Sequence, residues 1–296
     1  MNEIKWNDRF NIGVESIDNA HRRLFSIVSK LISLNEDPAK QQHACREGIK
    51  YFKNYTLKHF ADEEAYMQSI GYSNYAIHKR LHDTLRDVTL PALEAEMEEH
   101  NYSVESVQHF LGICVGWLNG HVMIEDHAIT GHTMNKWMYN PAEDELPYLE
   151  KAIIQALFDL FGVKAHIITK YYSGEDFASG KSLCYRLTFR SAEQKTMQAY
   201  LIYEEKMILN MLGEMLGHQL PRIDKTVAEA MALLSQRFIN CISVHFALTE
   251  NHKLVKTDLL TFAQVSKLFI TDKQYPPYSL LFNTDKNEYF AFCVKK

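Results

Sequence analysis

The sequence predicts two unlike halves, an all-α antiparallel four-helix bundle followed by an α+β domain. Three observations carry this. Apolar residues of the first half recur at helical spacing in four long segments, and those of the second half alternate as in strands. Histidine is also unevenly spread: of 14 His in 296 residues, ten precede residue 135. The length suits about two domains, placed at 1–138 and 148–296, with a joint at 139–147.

Ile17, Leu24, Phe25, Val28, Leu31 and Ile32 give the first helix, over 17–35. The second runs from Cys45 to Met67 through Ile49, Phe52 and Phe60, with Gly71 as its stop. Ser73 is the expected N-cap of a third helix through Leu81, Leu85 and Val88, kinked or broken near Pro91. Val104, Val107, Leu111, Cys114, Trp117 and Leu118 mark the fourth. Short joints make such helices antiparallel neighbours. The Pro-bounded acidic stretch Tyr139–Pro147 reads as the linker.

Beyond it a helix is expected over Tyr148–Phe161. In the strand that follows, Leu183, Tyr185, Leu187 and Phe189 face one way and Ser182, Arg186, Thr188 and Arg190 mostly the other. Gln198–Tyr203 is a second strand. Helices follow at Glu204–Leu216 and Thr226–Cys241, the latter opening on a capping-box pattern, Thr226-Val227-Ala228-Glu229. Ser235, Gln236 and Asn240 read as its polar face.

Composition narrows the function. With 32 Lys+Arg against 37 Asp+Glu, the net charge of −5 gives no basic face for nucleic acid or anionic lipid. No apolar run reaches 18 residues, so no membrane span is expected. The first residues lack the basic-then-apolar run of a signal peptide. Five scattered Cys without a CxxC argue for a reducing cytoplasm.

The histidines form a constellation. His59/Glu63 and His78/His82 are i, i+4 pairs, so each pair aims at a common point. His121/Asp126 and His21 add further groups, and these faces are the apolar ones. Buried carboxylates without counter-charge cost several kcal/mol each. The stripes carry no Lys or Arg, so metal is the compensating charge. Seven side chains exceed the six positions of one octahedral ion; two ions offer about twelve. Five His, two bridging carboxylates and one bridging oxygen leave a single position open. Leu24, Phe60, Trp117, Leu118 and Val122 would surround it as an apolar pocket for a small ligand such as O₂. Positions i and i+5 lie about 140° apart on an ideal helix. His121 and Asp126 therefore require a π-like turn between them. His43, His100, His109, His127 and His132 read as solvated or capping, and Glu64, Glu94, Glu96, Glu98 and Glu99 as a solvated face.

Residues 6–134 resemble the bacteriohemerythrins. The matching runs are Trp6-Asn7-Asp8-Arg9-Phe10-Asn11-Ile12-Gly13, Ile17-Asp18-Asn19-Ala20-His21, His59-Phe60-Ala61-Asp62-Glu63-Glu64, His78-Lys79-Arg80-Leu81-His82 and Trp117-Leu118-Asn119-Gly120-His121-Val122-Met123-Ile124-Glu125-Asp126. The resemblance implies an oxo- or hydroxo-bridged centre of two non-heme irons. One iron would take His78, His82 and His121 and the other His21 and His59, with Glu63 and Asp126 bridging and O₂ at the iron with two His. Ala20 stands where the family usually has Gln.

From about Tyr148 the chain resembles the CheX-type chemotaxis phosphatases, through Met207-Ile208-Leu209-Asn210-Met211-Leu212-Gly213 and Ile223-Asp224-Lys225-Thr226-Val227-Ala228-Glu229-Ala230. Leu233 and Gln236 stand where that family has its catalytic Glu and Asn. The half is therefore read as a signalling or dimerising module, making homodimers, with a chemotaxis or response-regulator protein as partner. The leading reading is an O₂-binding sensor or carrier with no catalytic residues. The alternatives are an O₂-modulated phosphatase of a receiver domain and a di-iron oxidase or peroxidase.

Overall fold

The computed structural model describes residues 7–35, 41–131, 148–174, 177, 181–243, 252–271 and 278–295. Both expected architectures are present. The linker at 139–147 lies outside the described residues, as do His132 and the side chain of His43.

The chain divides into two compact units, Met1–Trp137 with Gly213–Met231, and Met138–Leu212 with Ala232–Lys296. In the first, helices α1 (Glu15–Asn35), α2 (Gln41–Ser69), α3 (Tyr75–Thr84), α4 (Leu90–Glu99) and α5 (Val104–Gly120) form the bundle. α1 packs on α2 and α5, α2 on α3, and α4 on α5, which closes the ring. Its core is the predicted stripe set, with Leu24, Val28, Leu31, Phe52, Phe60, Val107 and Leu111 all buried. Gly71 ends α2 with φ +65°, while Tyr72 N donates to Met67 O, a Schellman-type stop. The helix after it is flanked by Asn74 rather than Ser73, and Asn74 makes no side-chain cap. Pro91 does not break the third rod. Lacking an N–H, it sits in the first turn of α4 behind a π turn at Leu85–Thr89, which absorbs the missing bond.

The segment 213–231 packs within this first unit. Gln108 Nε2 donates to Asp224 Oδ2 at 3.2 Å. Gly112 permits close approach, since a Cβ there would lie 2.6 Å from both Glu229 Cβ and Thr226 O. Gly112→Leu is therefore expected to destabilise the protein by about 1–3 kcal/mol. A lowered denaturation midpoint supports the packing, and an unchanged one contradicts it.

In the second unit a six-stranded antiparallel sheet has the order β1-β5-β6-β3-β2-β4. The strands are β1 (Ala165–Thr169), β2 (Ser182–Arg190), β3 (Thr196–Glu204), β4 (Lys253–Leu260), β5 (Tyr278–Thr284) and β6 (Tyr289–Lys295). Alternate residues serve opposite faces. Cys184, Tyr200, Ile202, Ala291 and Cys293 form one core with Val265 of helix α10 (Phe262–Thr271). On the other side, Phe161 of α7 (Tyr148–Phe161) meets Tyr203 edge-on. Phe238 of α9 (Lys225–Ile242) packs against Phe290 and Phe292. Helix α8 (Glu205–Leu216) follows β3. Two local expectations change. Asp224, not Thr226, caps α9, its Oδ1 accepting from Val227 N. Ser235 is not on a polar face: it is fully buried and hydrogen-bonded to Tyr203 Oη at 3.1 Å.

Candidate metal centre

Four rods supply the seven groups. α1 brings His21, α2 brings His59 and Glu63, α3 brings His78 and His82, and the turn after α5 brings His121 and Asp126. That last turn, His121–Asp126, is a π turn, the distortion the i, i+5 spacing requires. The start of α1 is fixed by buried Asp18, whose Oδ1 accepts from Ile12 N at 2.7 Å and Oδ2 from Gly13 N at 3.2 Å. Thr130 Oγ1 donates to Ile12 O, so the first and last helical segments of the bundle hold the same arm.

All seven side chains are buried, and they fall into two groups. In the first, the Nε2 atoms of His78, His82 and His121 face one another, with His82 3.2 Å from His78 and 3.0 Å from His121. Glu63 Oε1 lies 2.8 Å from His78 Nε2, and Asp126 Oδ1 lies 3.0 Å from His121 Nε2. In the second, Glu63 Oε2 is 3.1 Å from His59 Nε2 and Asp126 Oδ2 is 3.1 Å from His21 Nε2. Each carboxylate thus turns one oxygen to each group. The potential ligand atoms of Glu63, His78, His82 and His121, and those of His21, His59, Glu63 and Asp126, lie within 4.8 Å of one another.

This donor set fits metal cations. Neighbouring ligand atoms around an octahedral ion with bonds of ~2.1 Å are about 3.0 Å apart, close to the spacings above. Among the described residues, no oxygen of Glu63 or Asp126 finds a hydrogen bond of acceptable geometry, an unusual state for buried carboxylates. Among the described residues no Lys or Arg is buried beside them.

The electrostatics agree. Burial opposes the charge on Glu63 and Asp126, and Asp126 further opposes that on Glu63. The surrounding imidazoles nevertheless hold both below the ordinary carboxylate range, His59 and His78 acting on Glu63 and His121, His21 and His78 on Asp126. Burial likewise works against a proton on His78, but Asp126 and Glu63 overcome it and raise it to about 10. His21 is raised in the same way, chiefly by Asp126. Burial and the neighbouring His121 push His82 down to about 2, so its imidazole is neutral. Without a cation, a proton on His78 supplies positive charge beside the two carboxylates.

The residues 12–131 match the Hemerythrin HHE cation binding domain. A bacteriohemerythrin of Clostridium acetobutylicum is 32% identical over 125 residues, 41% of this chain and 94% of that relative. The chain belongs to the hemerythrin family. A second hemerythrin relative, the bacteriohemerythrin of Pseudomonas aeruginosa strain PAO1, is 27% identical over 147 residues, 48% of this chain and 92% of that protein. The chain is also similar to the structure of chemotaxis protein CheX from Vibrio vulnificus, with a TM-score of 0.36 and 10% identity over 50% of this chain and 96% of that one.

Around the hemerythrin-type cluster, Phe60 stacks on His82 with ring centroids 3.8 Å apart, and Trp117 stacks on His121 at 4.2 Å. Leu24, Leu118 and Val122 are buried. Three expectations about bystanders need correcting. Glu64 is not a solvated residue: its Oε1 lies 3.1 Å from His82 Nδ1. His127 is buried rather than solvated, because the turn that delivers Asp126 carries the next residue inward. Glu96 is half-exposed but engaged, its Oε2 2.8 Å from His109 Nδ1. The sequence signal for Glu64 was its place one turn after Phe60, on the flank of α2 that reaches α3. In the second unit, Gln236 Nε2 donates to Thr257 Oγ1 at 3.1 Å.

Proposed function

We propose that residues 12–131 hold two iron ions and bind dioxygen, and that the protein acts as an oxygen or redox sensor through its second unit. The observation that carries this is the two-sided placement of Glu63 and Asp126, one oxygen toward three imidazoles and the other toward two. His78, His82 and His121 would hold one ion, His21 and His59 the other, and the carboxylates both. Such a pair supplies reversible electron exchange with dioxygen. The chain orients the imidazoles by stacking Phe60 and Trp117 on them, and it keeps water out with Leu24, Leu118 and Val122. The unequal histidine count leaves the two-imidazole side less crowded, which favours it as the place for O₂.

The sensor reading is supported by the second, α+β unit that accompanies the bundle in the same chain. A response-regulator partner, a homodimer through the second unit and a cytoplasmic setting belong to the same proposal. Five thiols without a disulfide support the last. No helix among the described residues is long and apolar enough to cross a membrane.

The test is iron per chain after iron-replete expression, together with oxygen-dependent visible absorption. Two irons and an absorption band that follows oxygen are expected, whereas well under two irons contradicts the proposal. Gln236→Ala should leave both signals intact, since its amide is engaged with Thr257 within the second unit.

A further inference from the structure

The five imidazoles differ on their outward nitrogens. Among the described residues, Nδ1 of His21, His59 and His78 finds no hydrogen-bond partner. Nδ1 of His121 stands 3.6 Å from Glu125 Oε2, beyond hydrogen-bond reach. Nδ1 of His82 alone among these five has a carboxylate oxygen at hydrogen-bond distance, Glu64 Oε1 at 3.1 Å.

We infer that Glu64 is a positioning residue for the cation centre, fixing the tautomer and aim of His82. The inference rests on the di-iron reading above. A carboxylate only accepts, so Nδ1 of His82 must donate and Nε2 must carry the lone pair. That lone pair points at the space shared with His78, His121 and Glu63. One turn of α2 supplies the whole arrangement. Phe60 clamps the His82 ring face with an interplanar angle of 6°, Glu63 turns inward, and Glu64, about 100° further round the helix, reaches behind the ring. Glu64 is itself anchored from outside. Lys79 Nζ lies 3.7 Å from its Oε2 and 2.6 Å from Asp83 Oδ1, and Arg86 also bonds Asp83. A chain of charges thus leads from a buried ligand to the surface. An acceptor on Nδ1 strengthens Nε2 as a donor to metal, and losing such a partner typically costs 10–100-fold in metal affinity.

The experiment is chelator competition on the full iron-loaded chain, with the reduction potential read on the same samples. Glu64→Ala should retain iron about 10–100-fold less well and shift the potential upward, because the His82 side of the centre becomes electron-poorer. Glu64→Gln, which keeps an oxygen acceptor and the side-chain shape, should restore most of the affinity but only part of the potential. Affinity within twofold of the unsubstituted protein and an unchanged potential in both variants overturn the inference. If the unsubstituted protein holds no iron, the di-iron reading fails and takes this inference with it. Iron in that protein with no effect of either variant defeats the Glu64 role alone.

Discussion

Glu63→Gln is expected to lower the iron content from two to fewer than one per chain. The substitution keeps size and one oxygen but removes the charge and turns an NH₂ toward imidazoles. Both halves of the site suffer, because Oε1 lies 2.8 Å from His78 Nε2 and Oε2 lies 3.1 Å from His59 Nε2. Unpairing buried charges in this way costs about 3–5 kcal/mol. Neither oxygen makes a hydrogen bond that the amide would preserve. Metal analysis beside a far-UV spectrum checks this, and two irons in a folded Glu63→Gln protein contradict it.

Insertion of one alanine after Ile124 should be as damaging, and removal of Ile124 should be tolerated. The π turn at His121–Asp126 exists because the two ligands are five residues apart. With one residue fewer they stand at i, i+4 in an ordinary helix and still share a face. With one more, Asp126 swings about 120° away and leaves His121 Nε2, 3.0 Å from its Oδ1, without its carboxylate neighbour. Iron content near two for the deletion and below one for the insertion is expected. Equal loss in both means that the exact sequence, not the turn, holds the ligands.

These two variants also show what was legible in the sequence. His59/Glu63 and His78/His82 could be read because i, i+4 spacing on an apolar stripe leaves one physical interpretation. The π turn was legible from a conflict, two inward-facing groups at a spacing that a regular helix forbids. In the second half, the alternation of Leu183, Tyr185, Leu187 and Phe189 gave the strand, but not the six-strand order, which depends on pairings distant in sequence. Glu64 looked solvated because its partner His82 lies 18 residues away on another helix. Caps were misplaced by one or two positions, to Ser73 and Thr226, because Asn74 and Asp224 compete on equal chemical terms. Ser235 looked like part of a polar face because nothing local announces Tyr203, the partner that lets its hydroxyl be buried.

Diffraction from iron-loaded crystals, measured on both sides of the iron absorption edge, tests the centre most directly. Two anomalous peaks are expected, one against His78, His82 and His121 and the other against His21 and His59, each also touching Glu63 and Asp126. A single peak, or iron bound by any other residues, contradicts the account.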